Sequence, residues 1–374
     1  MDSLLIYGSY GYTGSRIAAE AVSRGWSPIV AGRDREKVTR QANTLGVDGR
    51  AFDLAEHAGD GARSALTDHL EDAGAVLNCA GPFVDTAEPL VEACLETGTD
   101  YLDVTGEFSV FERLRQRDHL ARDADVTVLP GVGFDVVPTD CLAAFLAELL
   151  PGADRLTLGI KSRSSLSRGT ARTVLEGLGD GNVIRRNGRL LKIPLAFRTR
   201  KIDFGDGPEH AVTVPFGDVV TAAYSTGIGS VEVYTAAPPW ATTAMSALDS
   251  LGPLIATEPV KRTLEQAIDA VADGPDDREL ATDSAVVWGE VEDGAGRHAQ
   301  ARLETPNPYA LTVETALAAS ERVLEGAVDD GFQTPATAFG SDFVLEFDGT
   351  RREVLEAPDL EDSERTHSRI PSDD

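Results

Sequence analysis

Lysine is nearly missing from this 374-residue chain: 34 side chains are Lys or Arg, but only Lys37, Lys161, Lys192, Lys201 and Lys261 are lysines, against 62 Asp and Glu. The resulting formal charge of −28 excludes a nucleic-acid partner, because such a surface repels phosphate backbones. Cysteine is also scarce. Cys79, Cys94 and Cys141 lie far apart with no C-x-x-C pair, which signals neither a disulfide framework nor a zinc site and leaves buried free thiols. The histidines, at 57, 69, 119, 210, 298 and 367, lack metal-ligand spacing, so no metal is expected. No G-x-S-x-G turn and no P-loop lysine occur, and serine hydrolases and metal-dependent hydrolases drop out with them. The most apolar later stretch, "AAPPWATTAMSALDSLGPLIA", is broken by prolines, Asp249 and hydroxyls, which argues against a spanning helix and leaves contact with a membrane surface open. Met1-Asp2-Ser3 leads straight into an apolar run without a charged-then-apolar signal, so a cytoplasmic location is expected.

What is present is enough apolar content, 42%, to bury a real core, over a length that suggests two domains. The carboxylate excess, with arginine in place of lysine, suggests a cytoplasm rich in salt, where screening removes most self-repulsion; the alternative is an acidic mesophilic protein.

The first 25 residues, "SLLIYGSYGYTGSRIAAEAVSRG" among them, read as strand, glycine turn and amphipathic helix. A pyrophosphate can rest on a helix end only where backbone N–H groups reach it, and a Cβ in the turn holds it away. The spacing G-x-x-G-x-x-G assigns Gly8 to the tight turn, Gly11 to the close approach and Gly14 to helix packing. Gly8, Ser9, Tyr10, Gly11, Tyr12, Thr13 and Gly14 are the expected pyrophosphate positions. The strands "SPIVAGR", "RAFDL", "AVLNCAG", "DYLDV" and "VTVLPG" follow, separated by helical stretches, which completes the six strands of a doubly wound dinucleotide-binding sheet.

The end of the second strand bears on the nucleotide. An NAD enzyme places Asp or Glu there to bond the ribose hydroxyls, whereas a 2′-phosphate needs a cation. Here Arg33 ends the strand and Arg35 and Lys37 follow, so Arg33 and Lys37 are read as 2′-phosphate ligands and the cofactor as NADP. The alternative makes Arg33 a loop cation and Asp34 the ribose ligand. Asp53 follows the third strand as a cap for the adenine edge, and Asn78, Ala80, Gly81 and Pro82 end the fourth, where the strand order reverses, lining the adenosine and ribose path.

The set "GSYGYTG", "AGRDREKV", "VLNCAGPF", "GTDYLDVTGE" and "PGVGFDVVPTD", in that order and spacing, resembles the saccharopine dehydrogenase family, and within it the saccharopine dehydrogenase-like oxidoreductases and trans-acting enoyl reductases. The likeness spans the first domain and continues into "SLSRGTARTVLEGL", which resembles that subgroup's Ser-x-Gly-Thr segment with Arg168 where glycine is usual. It implies an NADP-binding Rossmann domain, a second mixed α+β domain, reductase chemistry and a homodimer, and does not transfer a substrate; Arg168, Thr170 and Arg172 are the candidate substrate-binding residues. No segment matches the amino-acid-binding residues of true saccharopine dehydrogenases.

The expected fold class is therefore α/β, a Rossmann-type doubly wound parallel sheet with a second mixed α+β domain. Residues 1–150 form the NADP-binding domain, 151–305 a β-rich substrate or dimerisation domain, 306–357 a returning helix and segment packing on the first domain, and 358–374 a disordered acidic tail. In the second domain "RLTLGIKSRS", "HAVTVPFGDVV", "SVEVYTA", "DSAVVWGEVED" and "RHAQARLETP" read as strands. Between Lys161 and Lys201 eleven Lys and Arg meet two acids, Glu176 and Asp180; Arg163, Arg168, Arg172, Arg185 and Arg186 either face an anionic group or pair with the acidic remainder. For chemistry, Asp103, Glu107 and Asp135 stand at the carboxyl ends of the fifth and sixth strands, where a buried carboxyl donates a proton; the competing reading has them cap helices or bond backbone amides. Two functions follow: an NADPH-dependent reductase of a C=C or C=N bond in a small-molecule or lipid-type substrate, or a non-catalytic NADP-binding sensor or accessory module.

Overall fold

The computed structural model describes residues 3–57, 66–162, 164, 182–240, 242 and 274–357. Its first half alternates strand and helix: β1 Ser3–Tyr7, α1 Tyr12–Ser23, β2 Ile29–Gly32, α2 Arg35–Leu45, β3 Gly49–Ala51, β4 Ala73–Asn78, α3 Phe83–Thr97, β5 Asp100–Asp103, α4 Phe108–Arg115, α5 Asp118–Asp123, β6 Thr127–Leu129 and α6 Val137–Leu149. The strands form one parallel sheet in the order β3-β2-β1-β4-β5-β6, with direction of winding reversing between β1 and β4. That is the doubly wound order, and its ligand crevice lies outside the carboxyl ends of β1 and β4. β1 and β4 are buried almost throughout, as parallel strands covered on both faces must be.

The second half contributes β7 Arg155–Ser162, β8 Asn182–Arg186, β9 Arg189–Ile193, β10 Thr199–Asp203, β11 Pro208–Thr213, α7 Asp218–Thr226, β12 Ser230–Ala236, α8 Asp277–Thr282, β13 Ser284–Glu292, β14 His298–Pro306, α9 Pro308–Leu324, β15 Gly331–Phe332, α10 Pro335–Phe339 and β16 Arg351–Glu356. Nine of these strands make a mixed sheet in which β12 and β7 run parallel and the other pairs antiparallel. α6 is apolar on nearly every face because it packs on β13 and β14 of the second sheet and on α7 and α10, within one core cluster that runs from Leu5 and Val76 through Leu142 and Leu146 to Leu158 and Val287.

Two expectations change. The stretch "HAVTVPFGDVV" is a strand only to Thr213; Pro215 has no N–H for the ladder, and Asp218 opens helix α7 instead. Residues 306–357 divide: α9 packs on α1 and β15 extends the first sheet beside β6, but β16 pairs with β14 in the second sheet. Among the described residues no helix is long and apolar enough to cross a membrane, and Cys79, Cys94 and Cys141 are free thiols.

Candidate active site

Gly8 turns the chain out of β1 with φ +77°, and a Cβ there would lie 2.8 Å from Ala80 at the end of β4. Gly14 faces the same turn, its hypothetical Cβ 2.5 Å from the Gly8 carbonyl. A side chain at 14 pushes α1 away from the turn, and one at 8 pushes the turn off the end of β4. The amides of Gly8 and Ser9 both donate to Ala31 O, at 2.9 and 3.1 Å, and that of Gly11 to Gly8 O at 3.0 Å, so these three hold the turn's shape. Gly11 caps α1 without a side-chain bond, which leaves the first-turn amides of Tyr12, Thr13 and Gly14 facing the crevice. An anion placed there meets bare donors and the positive end of the helix. The glycine cradle fits a pyrophosphate.

The side chains of the turn have other tasks. The buried Ser9 hydroxyl bonds Ala31 O and Gln41, and Gln41 returns a bond to Ser9 O at 2.7 Å, a contact with no signal in the sequence motif. Tyr10 lies against Gly32, accepts from Asp34 N at 3.1 Å and sits under Lys37. Tyr12 donates to Pro275 O at 2.5 Å and packs edge-on to Tyr309, so segments from the second half brace α1.

At the end of β2, Asp34 is the N-cap of α2: its Oδ1 accepts from Lys37 N at 3.1 Å and its Oδ2 pairs with Lys37 Nζ at 3.4 Å. The Lys37 amide, ahead of other causes, holds its carboxyl below the usual range. That capping work competes with any role as ribose ligand. Arg33 is exposed beside it and makes no ion pair among the described residues, while Lys37 is shared with Asp34. Asp53, half-buried, spends one oxygen on Ala55 N at 3.0 Å.

The end of β4 is a buried polar network. Asn78 donates to Thr86 Oγ1 and Tyr101 OH at 3.0 and 3.2 Å and accepts from Ala80 N at 3.0 Å, which shapes the turn through Ala80, Gly81 and Pro82. Asn78 is thus a scaffold for this turn, and Ala80 is pressed on Gly8 of the glycine turn.

Among the proposed proton donors, two are corrected. Asp103 is fully buried; it accepts from Tyr101 OH at 2.9 Å, Thr105 N at 3.0 Å and Gly131 N at 2.9 Å, and so pins β5 to the loop after β6. Burial pushes its carboxyl up to about 6, but its oxygens are enclosed by donors. Glu107 accepts from the amides of Phe83 and Val84 at 2.9 and 3.0 Å, capping α3, whose own N-cap residue, Pro82, offers no side-chain bond. Sequence distance hid this, since the cap lies more than twenty positions from the helix it serves. Asp135 differs. It stands on the loop after β6, opens to solvent, makes no hydrogen bond among the described residues, and lies against Gly106. Protein packed on its inner side pushes its carboxyl up to about 6. α9 fixes the loop: Thr312 accepts from Phe134 N at 3.0 Å and Thr315 donates to Val132 O at 2.7 Å.

Arg163, Arg168, Thr170 and Arg172 lie outside the described residues. Of the other cations in the basic segment, Arg185 donates to Val219 O at 2.6 Å and Gly188 O at 2.9 Å and reaches Glu112 at 3.7 Å. Lys161 pairs with Glu209 and Asp206, Arg198 with Glu232, and Arg200 with Glu290. This part of the segment pairs with the acidic remainder, and Arg186 alone of the Arg185–Arg186 pair is exposed.

Residues 4–129 match the family model described as the saccharopine dehydrogenase NADP binding domain. A human saccharopine dehydrogenase-like oxidoreductase is 29% identical over 203 residues, 49% of this chain and 47% of that protein. A Caenorhabditis elegans protein named as lipid droplet localized is 27% identical over 160 residues, 40% of this chain and 37% of its own length. A Mycobacterium tuberculosis protein, named with reserve a trans-acting enoyl reductase, is 30% identical over 185 residues, 47% of this chain and 44% of its own. The matches span about half the length of these relatives or less. The solved saccharopine dehydrogenase (L-Glu forming) of Saccharomyces cerevisiae, in its apo form, shares the fold over 95% of this chain and 100% of its own, with a TM-score of 0.63 and 13% identity. Over residues 4–129, then, the chain is similar to the saccharopine dehydrogenase NADP binding domain, and over about half its length to the saccharopine dehydrogenase-like oxidoreductases.

Proposed function

We propose that this chain is an NADPH-dependent reductase of a C=C or C=N bond in a small-molecule or lipid-type substrate, with Asp135 as the proton donor. The observation that carries it is one crevice with a Cβ-free, uncapped helix start at one point and a solvent-open, unbonded carboxyl of raised pKa further along the same sheet edge. NADPH, when bound, supplies the hydride. The chain's residues do the rest. The Tyr12–Gly14 amides hold the pyrophosphate, Arg33 takes the 2′-phosphate while Asp34 stays on its helix, and Asp135 gives a proton to the acceptor's second atom.

A lipid-type acceptor is supported by the lipid-droplet name of one relative and by the exposed rings of Trp240 and Phe197 on the second half; peripheral membrane contact and a homodimer belong to the same proposal. Calorimetry in concentrated KCl tests the cofactor: NADPH should bind more tightly than NADH, and Arg33→Asp should cancel or reverse that order. Equal affinities before and after the substitution would remove the assignment of Arg33. Loss of reduced-nicotinamide absorbance on adding lipid extract supports turnover, and tight binding without consumption would support the sensor instead.

A further inference from the structure

Tyr10 stands between Gly8 and Gly11, but its side chain reaches across from the glycine turn to the end of β2. The ring lies on Gly32, where a Cβ would come 2.6 Å from its Cε1 and 3.2 Å from its hydroxyl oxygen, so the phenol seats there because position 32 carries no side chain. That oxygen accepts from Asp34 N at 3.1 Å. Lys37 Nζ stands 5.4 Å from the ring centroid, within reach of the negative π face. Contacts at 32, 34 and 37 therefore bracket Arg33 along the chain.

The phenol has one bond left to give. Asp34 N occupies a lone pair of its oxygen, while the O–H hydrogen donates to no group among the described residues. The competing account gives the ring to packing on Gly32 and the oxygen to Asp34 N, and leaves that hydrogen without a use. Neighbouring Ser9 has none to spare, because its hydroxyl is bonded to Ala31 O and Gln41. Asp34, whose charge repels a phosphate, is held by the Lys37 amide and ammonium. We infer that Tyr10 is a coenzyme-specificity residue: its hydroxyl donates to the 2′-phosphate and completes, with Arg33 and Lys37, a subsite of two cations and one neutral donor at the end of β2. A phosphate presents charged acceptor oxygens to that hydrogen, and a hydrogen bond to an ionised acceptor is roughly twice as strong as one between neutral groups. The phenol thus favours a phosphorylated ribose over a bare one. Its main chain stays in the glycine turn, and its side chain serves the other phosphate.

The inference rests on Arg33 as the 2′-phosphate ligand, and its test keeps the two apart. In calorimetry on the full chain in concentrated KCl, Tyr10→Phe, which keeps the ring, should weaken NADPH and adenosine 2′,5′-bisphosphate by about tenfold or more and leave NADH and 5′-AMP unchanged. Equal weakening of NADPH and NADH, or no weakening of either, would overturn the inference, since a ring that only shapes the turn treats both coenzymes alike. If Tyr10→Phe does not fold, wild-type chain with carbon-labelled tyrosine decides: the Cζ resonance of Tyr10 should move further with adenosine 2′,5′-bisphosphate than with 5′-AMP, and an equal response to both would overturn it. A preference for NADPH that is lost in Arg33→Asp but kept in Tyr10→Phe sinks this inference alone. One lost in Tyr10→Phe but kept in Arg33→Asp sinks the assignment of Arg33 alone.

Discussion

Asp103 ends β5 and Asp135 stands on the loop after the neighbouring β6; the packed protein around each lifts its carboxyl to about 6, yet they differ in what surrounds their oxygens. Removing Asp103 orphans the Tyr101 hydroxyl and the amides of Thr105 and Gly131. At roughly 1 kcal/mol or more for each buried donor, Asp103→Ala should cost about 3 kcal/mol, read as a lower urea midpoint with an unchanged slope. Asp135→Asn leaves no such debt; it should unfold within about 0.5 kcal/mol of wild type and abolish NADPH consumption. A small loss at Asp103 and a large one at Asp135 would exchange the roles assigned to them. Composition and strand position made both residues candidates, but telling scaffold from donor required knowing which loops meet them. Asp34 shows the same limit: a carboxylate near the ribose position is legible in "AGRDREK", but its commitment to the Lys37 amide is a matter of local helix geometry.

At the scale of elements, α3 begins at a proline-capped end whose amides are met by Glu107 from the next βα loop. Glu107→Ala should destabilise the protein by about 1 to 2 kcal/mol, checked by the same urea titration, and Glu107→Gln should recover part of it. The parallel strands of the first sheet were legible because each is a short apolar run closed by glycine or a polar turn, and burial on both faces demands that composition. The second sheet was less so. "VPFGDVV" has strand-like valines, but Pro215 and Gly217 end the ladder, and the helix that follows was hidden with Asp218 on it. The hairpin of β8 and β9 did carry a local signal, the Asn187-Gly188 pair with φ of 48° and 78°, the turn that two-residue hairpins favour. β16 is unreadable from its own residues: "RREVLE" is mostly exposed, and pairing with β14 makes it a strand.

For the whole molecule, the cations of the basic segment are spread over acids of the second sheet, as in Arg198–Glu232 and Arg200–Glu290, and the chain still carries −28. Pairs at or near the surface are each worth about 1 kcal/mol or less, too little to offset the repulsion of the remaining carboxylates in dilute buffer. Screening shortens that repulsion to about 3 Å at molar salt. The melting temperature should therefore rise between dilute buffer and molar KCl, and a constant value would mark the charge as incidental.

The claim on which the rest depends is that the first-turn amides of α1 hold the cofactor's pyrophosphate. Amide hydrogen exchange in concentrated KCl, with and without NADPH, reads those groups directly. NADPH should slow exchange at Tyr12, Thr13 and Gly14, with little change at Gly8, Ser9 and Gly11, whose amides are already bonded within the turn. Binding of NADPH that leaves Tyr12 to Gly14 exchanging as before, or no binding at all, would contradict it.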